Sequence, residues 1–426
     1  ELSSSYTISA NRSILLDSGT LTVNGGLSAL TNSGTFNWLT GSTDNLYEGG
    51  LTNNGVMTLN GSGTLDLDGL INSNSGTIAI NSHVTMELGA LGTFTNTEFI
   101  SIAAGQTLDV YGALFLNGLG ATISAVGGVF DAVGALFTNL GTLLGGNSPG
   151  YAYIMGNMAL GDTSQLIAEL GDTAPGLGGY DVYDVSGSLD LGGTLSVVEY
   201  GSFSVGAGDR FTVVTAGTLG HSFDSIDGLE IGHGVVLDVE QTGFDLTLVG
   251  HAVTHQGSAS ADTLTGGSSA DAMVGGDGAD LLIGGGGADI LFGGLGDDIF
   301  RIADAAFSRI DGGAGVDTLQ LAFGTFDMRA YRFDQVNDME AIDLTGTGTL
   351  VTVNADIVRA MTSGTNALTN SSHALVITGD SGDVADIGSG WTNTGTTTIA
   401  GEGYAIYDHA NGAQLAIHQN LGVAAA

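Results

Sequence analysis

The chain has 426 residues and a formal net charge of −38, with 45 acidic side chains against 7 basic ones. This balance disfavours nucleic acid and an anionic membrane surface as partners, and it favours divalent cations, which offset the repulsion among carboxylates. The lack of cysteine excludes disulfides, thiolate metal sites and thiol catalysis, and no apolar run of about 18 residues predicts a transmembrane helix.

Residues 1–145 carry an internal repeat with a period of 21 or 22 residues, marked by asparagine. Apolar, threonine-rich runs such as Leu51–Leu59 and Ile71–Ile80 flank each asparagine, and a second strand per period follows, as in Thr64–Leu67. Alternation of apolar and polar residues buries one face of each strand. The period therefore predicts coils of a parallel β-solenoid. The recurring asparagines are Asn11, Asn32, Asn53, Asn74, Asn96, Asn117 and Asn139.

Two explanations of the asparagine repeat are open from the sequence. The side chains could stack into a ladder in which each amide bonds its equivalent in the next coil. Alternatively, each asparagine could simply tolerate a left-handed turn.

Residues 146–250 continue with strand-like runs after the turn Gly146–Gly150. The segments Tyr180–Gly187 and Gly208–Val214 resemble the distal part of large bacterial passenger and adhesin solenoids. The resemblance implies a continuing or flattened β-solenoid. The strand-like runs are Ala152–Met155, Gln165–Leu170, Thr194–Glu199, Arg210–Val214 and Val235–Val239.

Residues 257–320 hold nonapeptides of the form G-G-x-G-x-D-x-U-x, where U is a large apolar residue. Five follow without a gap from Gly257, and another begins at Gly312 after an irregular coil. Serines replace glycines at Ser258, Ser260 and Ser269. The pattern resembles the calcium-binding β-roll of the RTX (repeats-in-toxin) family, whose members leave the cell by type I secretion. The large residues, expected to point inward, are Leu264, Met273, Leu282, Leu291, Phe300 and Leu319.

The resemblance implies a ligand set for several Ca²⁺ ions, because aspartate carboxylates and turn carbonyls are hard oxygen donors. Two nonapeptides make one coil, so Asp262 would pair with Asp280, Asp271 with Asp289, and Asp280 with Asp298, with Asp317 extending the series. Further ligands would be the carbonyls of Gly275, Asp277, Gly284, Gly286, Gly293 and Leu295.

Calcium binding and folding are expected to be coupled in this segment. Its ten aspartates face only Arg301 and Arg309, and repulsion together with glycine entropy opposes folding without a metal. By resemblance to the family, we hypothesise that low cytosolic calcium keeps the segment open for export and that millimolar calcium outside folds it.

Residues 328–426 are similar to the terminal module of large type I secreted adhesins. The similarity is carried by Val336–Leu344, Leu350–Val353 and Leu375–Asp380, and Asn354 is placed to cap a short helix that ends near Met361. An uncleaved export signal is expected in the last several dozen residues.

The patterns of known active sites fail here. His251 and His255 have zinc-protease spacing without the glutamate, and Gly146–Gly150 fits a nucleophile elbow only in letters, since Pro149 follows the serine. The absence of lysine excludes a Walker A loop. Residues 1–145 hold only Arg12 and His83 as basic groups. We therefore expect no enzyme, with an RTX-bearing polysaccharide lyase or epimerase as the alternative.

The repeat begins within the first ten residues without a capping helix. This suggests that the N-terminal end stacks on another subunit, or else that a cap lies upstream. We predict an all-β protein with a parallel β-solenoid (1–145), a passenger-like continuation (146–250), a calcium-binding β-roll (251–327) and a β-rich C-terminal module (328–426). The expected function is a secreted, cell-surface structural or adhesive protein that self-associates into filaments or a surface layer; a monomeric glycan-binding adhesin is another alternative.

Overall fold

The structure is a computed structural model that describes residues 6–8, 13–16, 21–23, 30–38, 45–48, 50–67, 71–125, 127–145, 149–346, 348–362 and 365–425. Asn11, Arg12 and Gly146–Ser148 lie outside these described residues. The chain divides into two compact units, residues 1–231 with 239–249 and residues 232–238 with 250–426. Strands dominate both units.

The first unit begins with strands of three to five residues each. They are β1 (Tyr6–Ile8), β2 (Ser13–Leu16), β3 (Leu21–Val23), β4 (Leu30–Asn32), β5 (Thr35–Trp38), β6 (Asn45–Glu48), β7 (Leu51–Asn53), β8 (Val56–Leu59), β9 (Gly63–Leu67), β10 (Ile71–Asn74), β11 (Thr77–Ile80), β12 (Val84–Leu88), β13 (Thr93–Asn96) and β14 (Phe99–Ile102).

Strands of three to eleven residues follow, up to residue 252. They are β15 (Thr107–Asn117), β16 (Thr122–Ala125), β17 (Val129–Asn139), β18 (Thr142–Leu144), β19 (Tyr151–Met155), β20 (Met158–Leu160), β21 (Gln165–Leu170), β22 (Val182–Asp190), β23 (Thr194–Glu199), β24 (Arg210–Gly220), β25 (Ser225–Asp227), β26 (Val235–Gln241) and β27 (Asp245–Ala252).

Each coil of the repeat has three strands, not the two that the sequence predicted. The run Leu51–Leu59 forms β7 and β8, and the strand after it, β9, pairs with the next coil through β12. Strands stack in parallel on their equivalents one coil away, as β8 does on β11 and β11 on β14. The predicted parallel β-solenoid is confirmed, with a corner inside each long apolar run.

The corner between the first two strands of a coil holds the asparagine ladder. Six asparagines, Asn32, Asn53, Asn74, Asn96, Asn117 and Asn139, are fully buried, and Nδ2 of each of the first five donates to the Oδ1 of the next at 2.6–2.8 Å. Nδ2 also donates to a backbone carbonyl, as from Asn53 to Thr77. The ladder explanation is confirmed. In the register of β1 and β4, Ile8 stands opposite Asn32, so the residue that precedes Asn32 in this position is not an asparagine.

The core beside the ladder is a column of equivalent residues from successive coils. Phe94 pairs in register with Phe115, and Phe115 pairs with Phe137. Phe94 and Phe115 stack at 5.1 Å between ring centroids, while Phe115 and Phe137 meet edge to face at 5.9 Å. Trp38 is also fully buried. Like residues therefore stack on like residues along the interior, and this packing fixes the register.

The end of the first unit departs from a uniform solenoid. The coils lengthen, so that Met158 pairs with Leu189 and Leu189 with Leu219. Strand β27 then runs antiparallel to β24. Within the segment that resembles passenger solenoids, Tyr183 is buried and its hydroxyl donates to the Ile167 carbonyl at 2.6 Å.

The second unit begins with the strands of the nonapeptide region. They are β28 (His255–Gln256), β29 (Thr263–Thr265), β30 (Ala272–Asp277), β31 (Leu281–Gly285), β32 (Ile290–Leu295), β33 (Ile299–Ile302), β34 (Arg309–Ala314), β35 (Thr318–Leu321) and β36 (Thr325–Asp327). Two parallel sheets alternate along the chain, with β28, β30, β32 and β34 in one and β29, β31, β33 and β35 in the other. This is the predicted β-roll.

Parallel coils continue beyond the nonapeptides. Strand β38 stacks on β35, β42 on β38, and β46 on β42. Strands β44 and β45 form an antiparallel hairpin on this sheet. The strands are β37 (Val336–Asn337), β38 (Ala341–Leu344), β39 (Leu350–Thr352), β40 (Thr365–Asn366), β41 (Ser371–Ser372), β42 (Ala374–Gly379), β43 (Val384–Asp386), β44 (Trp391–Ile399), β45 (Glu402–His409), β46 (Gln414–His418) and β47 (Gly422–Ala424).

Helices are few in the described part of the chain. The α-helix α1 spans Ala355–Met361, and the Asn354 side chain caps it by accepting a hydrogen bond from the Ile357 N–H, as predicted. Two 3₁₀ helices, Met328–Ala330 and Phe333–Gln335, precede it.

The ladder predicts a stability difference between buried and exposed asparagines. Asn74→Ala removes two buried amide–amide bonds, so we expect a loss of about 2–4 kcal/mol in the free energy of unfolding. Asn81→Ala is the control, because Asn81 bonds Asn60 with the same spacing on the exposed surface, and should cost less than about 1 kcal/mol. Denaturant unfolding measures both; equal losses would contradict a structural role for the buried ladder.

Candidate calcium site

Left-handed glycines lie near the ends of strands β30 and β32 in the β-roll. Gly276 and Gly294 have φ values of +107° and +104°, which side chains rarely adopt. A methyl group at Gly294 would also lie 2.2 Å from the Gly276 carbonyl oxygen one coil away. The first two positions of the nonapeptide thus keep backbone oxygens of successive coils close together.

The large residues of the nonapeptides point inward, as predicted. Met273, Leu282, Leu291, Phe300 and Leu319 are fully buried in one apolar cluster. Leu264, in the first repeat, is only partly buried against this cluster. Because these eighth-position residues are held in the core, the sixth-position aspartate of each coil lies directly beside its equivalent in the next coil. We call each such row of aspartates a column.

One column runs through Asp262, Asp280, Asp298 and Asp317. The N–H of each aspartate donates to Oδ1 of the next, at 2.7 Å from Asp262 and 2.8 Å from Asp280 and Asp298. Asp280, Asp298 and Asp317 are at most 2% exposed. The structure therefore stacks carboxylates directly on one another away from solvent.

The second oxygen of these three carboxylates has no partner. Oδ2 of Asp280, Asp298 and Asp317 is buried without a hydrogen bond, and a buried acceptor left in this state is costly. A hard cation would supply the missing partner of these oxygens.

A cradle for such a cation repeats along the column. A methyl group at Gly275 would lie 2.5 Å from Asp280 Oδ2 and 2.6 Å from the Gly293 carbonyl oxygen. At Gly293 the same distances are 2.3 Å to Asp298 Oδ2 and 2.5 Å to the Gly312 carbonyl oxygen. The space next to each of these glycines, where a side chain would otherwise lie, is thus bordered by one carboxylate oxygen and one carbonyl oxygen. This donor set fits Ca²⁺.

The electrostatics of the column also favour a cation. Burial, with further contributions from Glu340 and Asp298, raises the pKa of Asp317 to about 8. Burial and the neighbouring Asp280 raise the pKa of Asp298 to about 6. These carboxyls therefore hold protons at higher pH than ordinary aspartates, and a bound cation would remove this penalty.

The first repeat satisfies its carboxylate differently. The backbone N–H and hydroxyl of Ser258 both donate to Asp262 Oδ2 at 2.7 Å. In the second repeat the Gly267 N–H donates to Asp271 Oδ2 at 2.8 Å. The protein itself supplies donors at these two positions, in contrast to Asp280, Asp298 and Asp317.

The opposite column is shorter. Asp271 donates its N–H to Asp289 Oδ1 at 3.0 Å, and the N–H of Ser308 bonds the Asp289 carbonyl one coil later. The next residue, Arg309, is fully buried and its guanidinium pairs with Asp334 at 2.9 Å. The guanidinium of Arg309 therefore places a permanent positive charge one coil beyond Asp289, at the end of this shorter column.

The predicted carbonyl ligands lie at or just after the ends of strands β30, β31 and β32. The carbonyl of Gly275 faces Gly257, and that of Gly284 faces Gly266, at 2.0 and 2.3 Å from a methyl group placed on those glycines. The Leu295 carbonyl accepts the Gly278 N–H at 2.7 Å. Of the other three predicted residues, Gly293 places its carbonyl in the cradle beside Gly275, and the N–H groups of Asp277 and Gly286 bond carbonyls of the preceding coil.

Sequence reasoning missed one member of the long column. The Asp317 N–H donates to Glu340 Oε2 at 2.8 Å, so Glu340 takes the position of the next aspartate. It follows Asp317 by 23 residues rather than 18 and lies outside any nonapeptide, which is why the template could not find it. The available signal was the heptapeptide Val336–Ile342, in which acidic residues stand between apolar ones, as they do in a nonapeptide.

Side chains alone do not make a metal centre in the part of the chain that is described. No three histidine, aspartate, glutamate or cysteine side chains converge there. Backbone carbonyls would therefore supply much of the coordination of a cation in the roll.

The sequence matches the family described as RTX calcium-binding nonapeptide repeat (4 copies) over residues 256–282 and 265–300. No curated protein matches the chain. The matched repeats are known calcium-binding motifs and are typical of secreted proteins. None of the helices in the described ranges is long and apolar enough to cross a membrane.

The raised pKa values predict that acid can partly replace calcium. In chelator, the folded roll binds protons at Asp317 and Asp298 below pH of about 8 and 6, whereas unfolded aspartates bind them only near pH 4. Stability of the metal-free roll should therefore rise as pH falls from 8 towards 4 and be lost as pH rises through 8. Circular dichroism in chelator measures this gain, and a calcium-saturated sample is the control, with little change expected between pH 6 and 8. A metal-free roll that loses β-structure on acidification from pH 8 to 5 would contradict the prediction.

Asp298→Asn tests the column directly. The amide oxygen can keep the bond from the Asp280 N–H while the charge is lost. Because even outer-shell changes commonly weaken metal sites tenfold, we expect the calcium concentration at half-folding to rise by at least about tenfold. Calcium titration followed by circular dichroism measures it. Asp172→Asn, on an exposed turn of the first unit, should leave the midpoint unchanged; an equal shift in both variants would show a general charge effect instead.

Proposed function

We propose that this RTX repeat protein is a secreted, calcium-dependent structural protein that self-associates into filaments or a layer at the cell surface. The nonapeptide repeats support calcium binding and export, and type I secretion is the route that their family resemblance suggests. Self-association is supported by a separate feature of the first unit.

That feature is an apolar ridge along one corner of the solenoid. The corner joins the third strand of a coil to the first strand of the next. Its exposed apolar side chains, which we call the apolar ridge, are Ile71, Leu91, Tyr111, Val133, Leu136 and Met155.

The ridge recurs from coil to coil, although the register of β15 and β17 shifts on both sides of Tyr111. Tyr111 pairs with Gly134, next to Val133, and Asp131 pairs with Met155. Ile71 and Leu91 are 78% and 77% exposed. Exposed apolar groups that recur along one corner of a protein are typical of an interaction surface, and a second copy offers a matching row. This ridge is the observation that carries the proposal of self-association.

Calcium enters the proposal through charge as well as folding. Copies with a net charge of −38 repel one another. Divalent cations lower this repulsion, both in the roll and by screening. Association is therefore expected only when calcium is present.

A glycan-binding adhesin is a second candidate because of two neighbouring tyrosines. The rings of Tyr151 and Tyr153 lie 4.6 Å apart, and Tyr153 is 48% exposed. The Tyr151 hydroxyl donates to Asp184 at 3.0 Å. An exposed aromatic face beside a fixed carboxylate suits the apolar face and hydroxyls of a sugar.

Enzymatic activity is not part of the proposal. The alternative of a polysaccharide lyase or epimerase predicts release of unsaturated products or a changed uronate composition from alginate or pectin. We expect neither when the purified chain is incubated with these polymers in millimolar calcium.

The test of self-association is negative-stain electron microscopy in millimolar calcium and after chelation. We expect ordered filaments or sheets that dissolve with chelator. Leu91→Ser should abolish them because it interrupts the ridge. Leu119→Ser is the matched control, since Leu119 is 72% exposed on a turn at a different corner, and should assemble normally. Monodisperse particles in both conditions would remove the assembly proposal and leave glycan binding to be tested on an array.

A further inference from the structure

The long carboxylate column extends one coil beyond the last nonapeptide. Asp298 pairs with Asp317 by the register of β33 and β35, and Asp317 pairs with Glu340 by that of β35 and β38. The hydrogen bond from the Asp317 N–H to Glu340 Oε2, at 2.8 Å, repeats the bond from the Asp298 N–H to Asp317 Oδ1. The residues that match the family end at 300, so this coil lies outside the recognised repeats.

Gly312, next to Asp317, has the same arrangement of oxygens around it as Gly275 and Gly293 in the cradle described above. A methyl group at Gly312 would lie 2.8 Å from Asp317 Oδ2 and 1.9 Å from the carbonyl oxygen of Asp338. In the two preceding coils a glycine carbonyl occupies the position that Asp338 takes here. Asp338 has a φ of +49°, a left-handed backbone conformation that aspartate adopts more readily than most side chains.

An unpartnered oxygen points to an absent ligand in this coil. Asp317 is fully buried and its Oδ2 has no hydrogen-bond partner. The carboxylate of Glu340 lies next to it in the column and adds a second negative charge. Two acidic groups, an orphaned oxygen and a carbonyl oxygen are the elements present at Gly293 and Asp298 one coil earlier.

We propose that a further calcium ion binds in this coil, held by the carboxylates of Asp317 and Glu340 and the carbonyl of Asp338. The inference rests on the proposed calcium dependence and locates one of its sites between the last nonapeptide and the strand that follows it. Calcium is the cation of choice because all the donors are hard oxygens and two of them are anionic.

The site ties the roll to the segments that come after it. The Met339 N–H donates to the carbonyl of Met361 at the end of α1, at 3.0 Å. The Glu340 carbonyl accepts from the Asn366 side chain at 2.8 Å and from the Val376 N–H at 2.9 Å. Binding at Glu340 therefore orders residues 338–340 and, through them, α1 and β42.

The test counts calcium ions bound to the full chain by equilibrium dialysis and elemental analysis. Glu340→Gln keeps an acceptor for the Asp317 N–H but removes the charge, and we expect its count at saturation to fall by one ion per chain. Asp343→Asn is the matched control: Asp343 lies on β38, which begins directly after Glu340, and accepts from Gln320, and its loss should leave the count unchanged. Asp338→Gly keeps the carbonyl and suits the positive φ, so it should also bind the full number.

The outcomes separate this inference from the proposed function. An unchanged count and midpoint in Glu340→Gln would overturn the inference while wild-type assembly in calcium stood. Loss of one ion in a wild-type chain that never assembles would support the inference and contradict the proposed function.

Hydrogen exchange on the wild-type chain covers the case in which Glu340→Gln does not fold at saturating calcium. Residues 338–344 and 374–379 should gain protection in the same calcium step as residues 312–321. Full protection of 338–344 in chelator would overturn the inference.

Discussion

Register-matched stacking places each side chain on its own equivalent one coil away, and the rest of this structure depends on that constraint. The consequence differs with the chemistry of the side chain. An amide carries a donor and an acceptor, so Asn32–Asn139 satisfy one another without help. A carboxylate has only acceptors, so Asp280, Asp298 and Asp317 satisfy one oxygen through backbone N–H groups and leave the other bare. The same geometry thus satisfies the hydrogen bonds of the asparagines in the first unit, whereas in the β-roll it leaves carboxylate oxygens that need a cation.

The exceptions in the roll follow from the same rule. Where Ser258 supplies an N–H and a hydroxyl, the carboxylate of Asp262 has local donors. Where the opposite column ends, the guanidinium of Arg309 brings a permanent positive charge to Asp334. Between these limits, a buried carboxylate can be neutralised by a proton or by a metal, and the raised pKa of Asp317 shows how strongly the site disfavours the bare anion. A calcium-dependent protein needs some carboxylates in this unsatisfied state.

Much of this arrangement could be predicted from the sequence, because equivalent positions of a repeat lie on one another in successive coils. The asparagine spacing predicted the ladder, and the nonapeptides predicted the inward residues and the aspartate columns. The corner between β7 and β8 was not predicted, since Asn53 and Met57 both face inward and the alternation runs unbroken through the bend. The antiparallel strand β27 was missed because alternation carries no strand direction. Glu340 was missed because its distance from Asp317 and its residue type both depart from the template.

The two coil lengths of the ladder region bear on how such a chain can change over generations. Spacings of 21 and 22 residues coexist, and the turn after the asparagine grows from two residues after Asn96 to four after Asn117, yet the ladder bonds from Asn32 to Asn139 all measure 2.6–2.8 Å. A duplicated or deleted coil presents the same amide above and below as the one it replaces. The gene can therefore lengthen or shorten this unit by whole coils through unequal recombination without disturbing its neighbours, whereas a coil lacking its asparagine would leave two broken bonds.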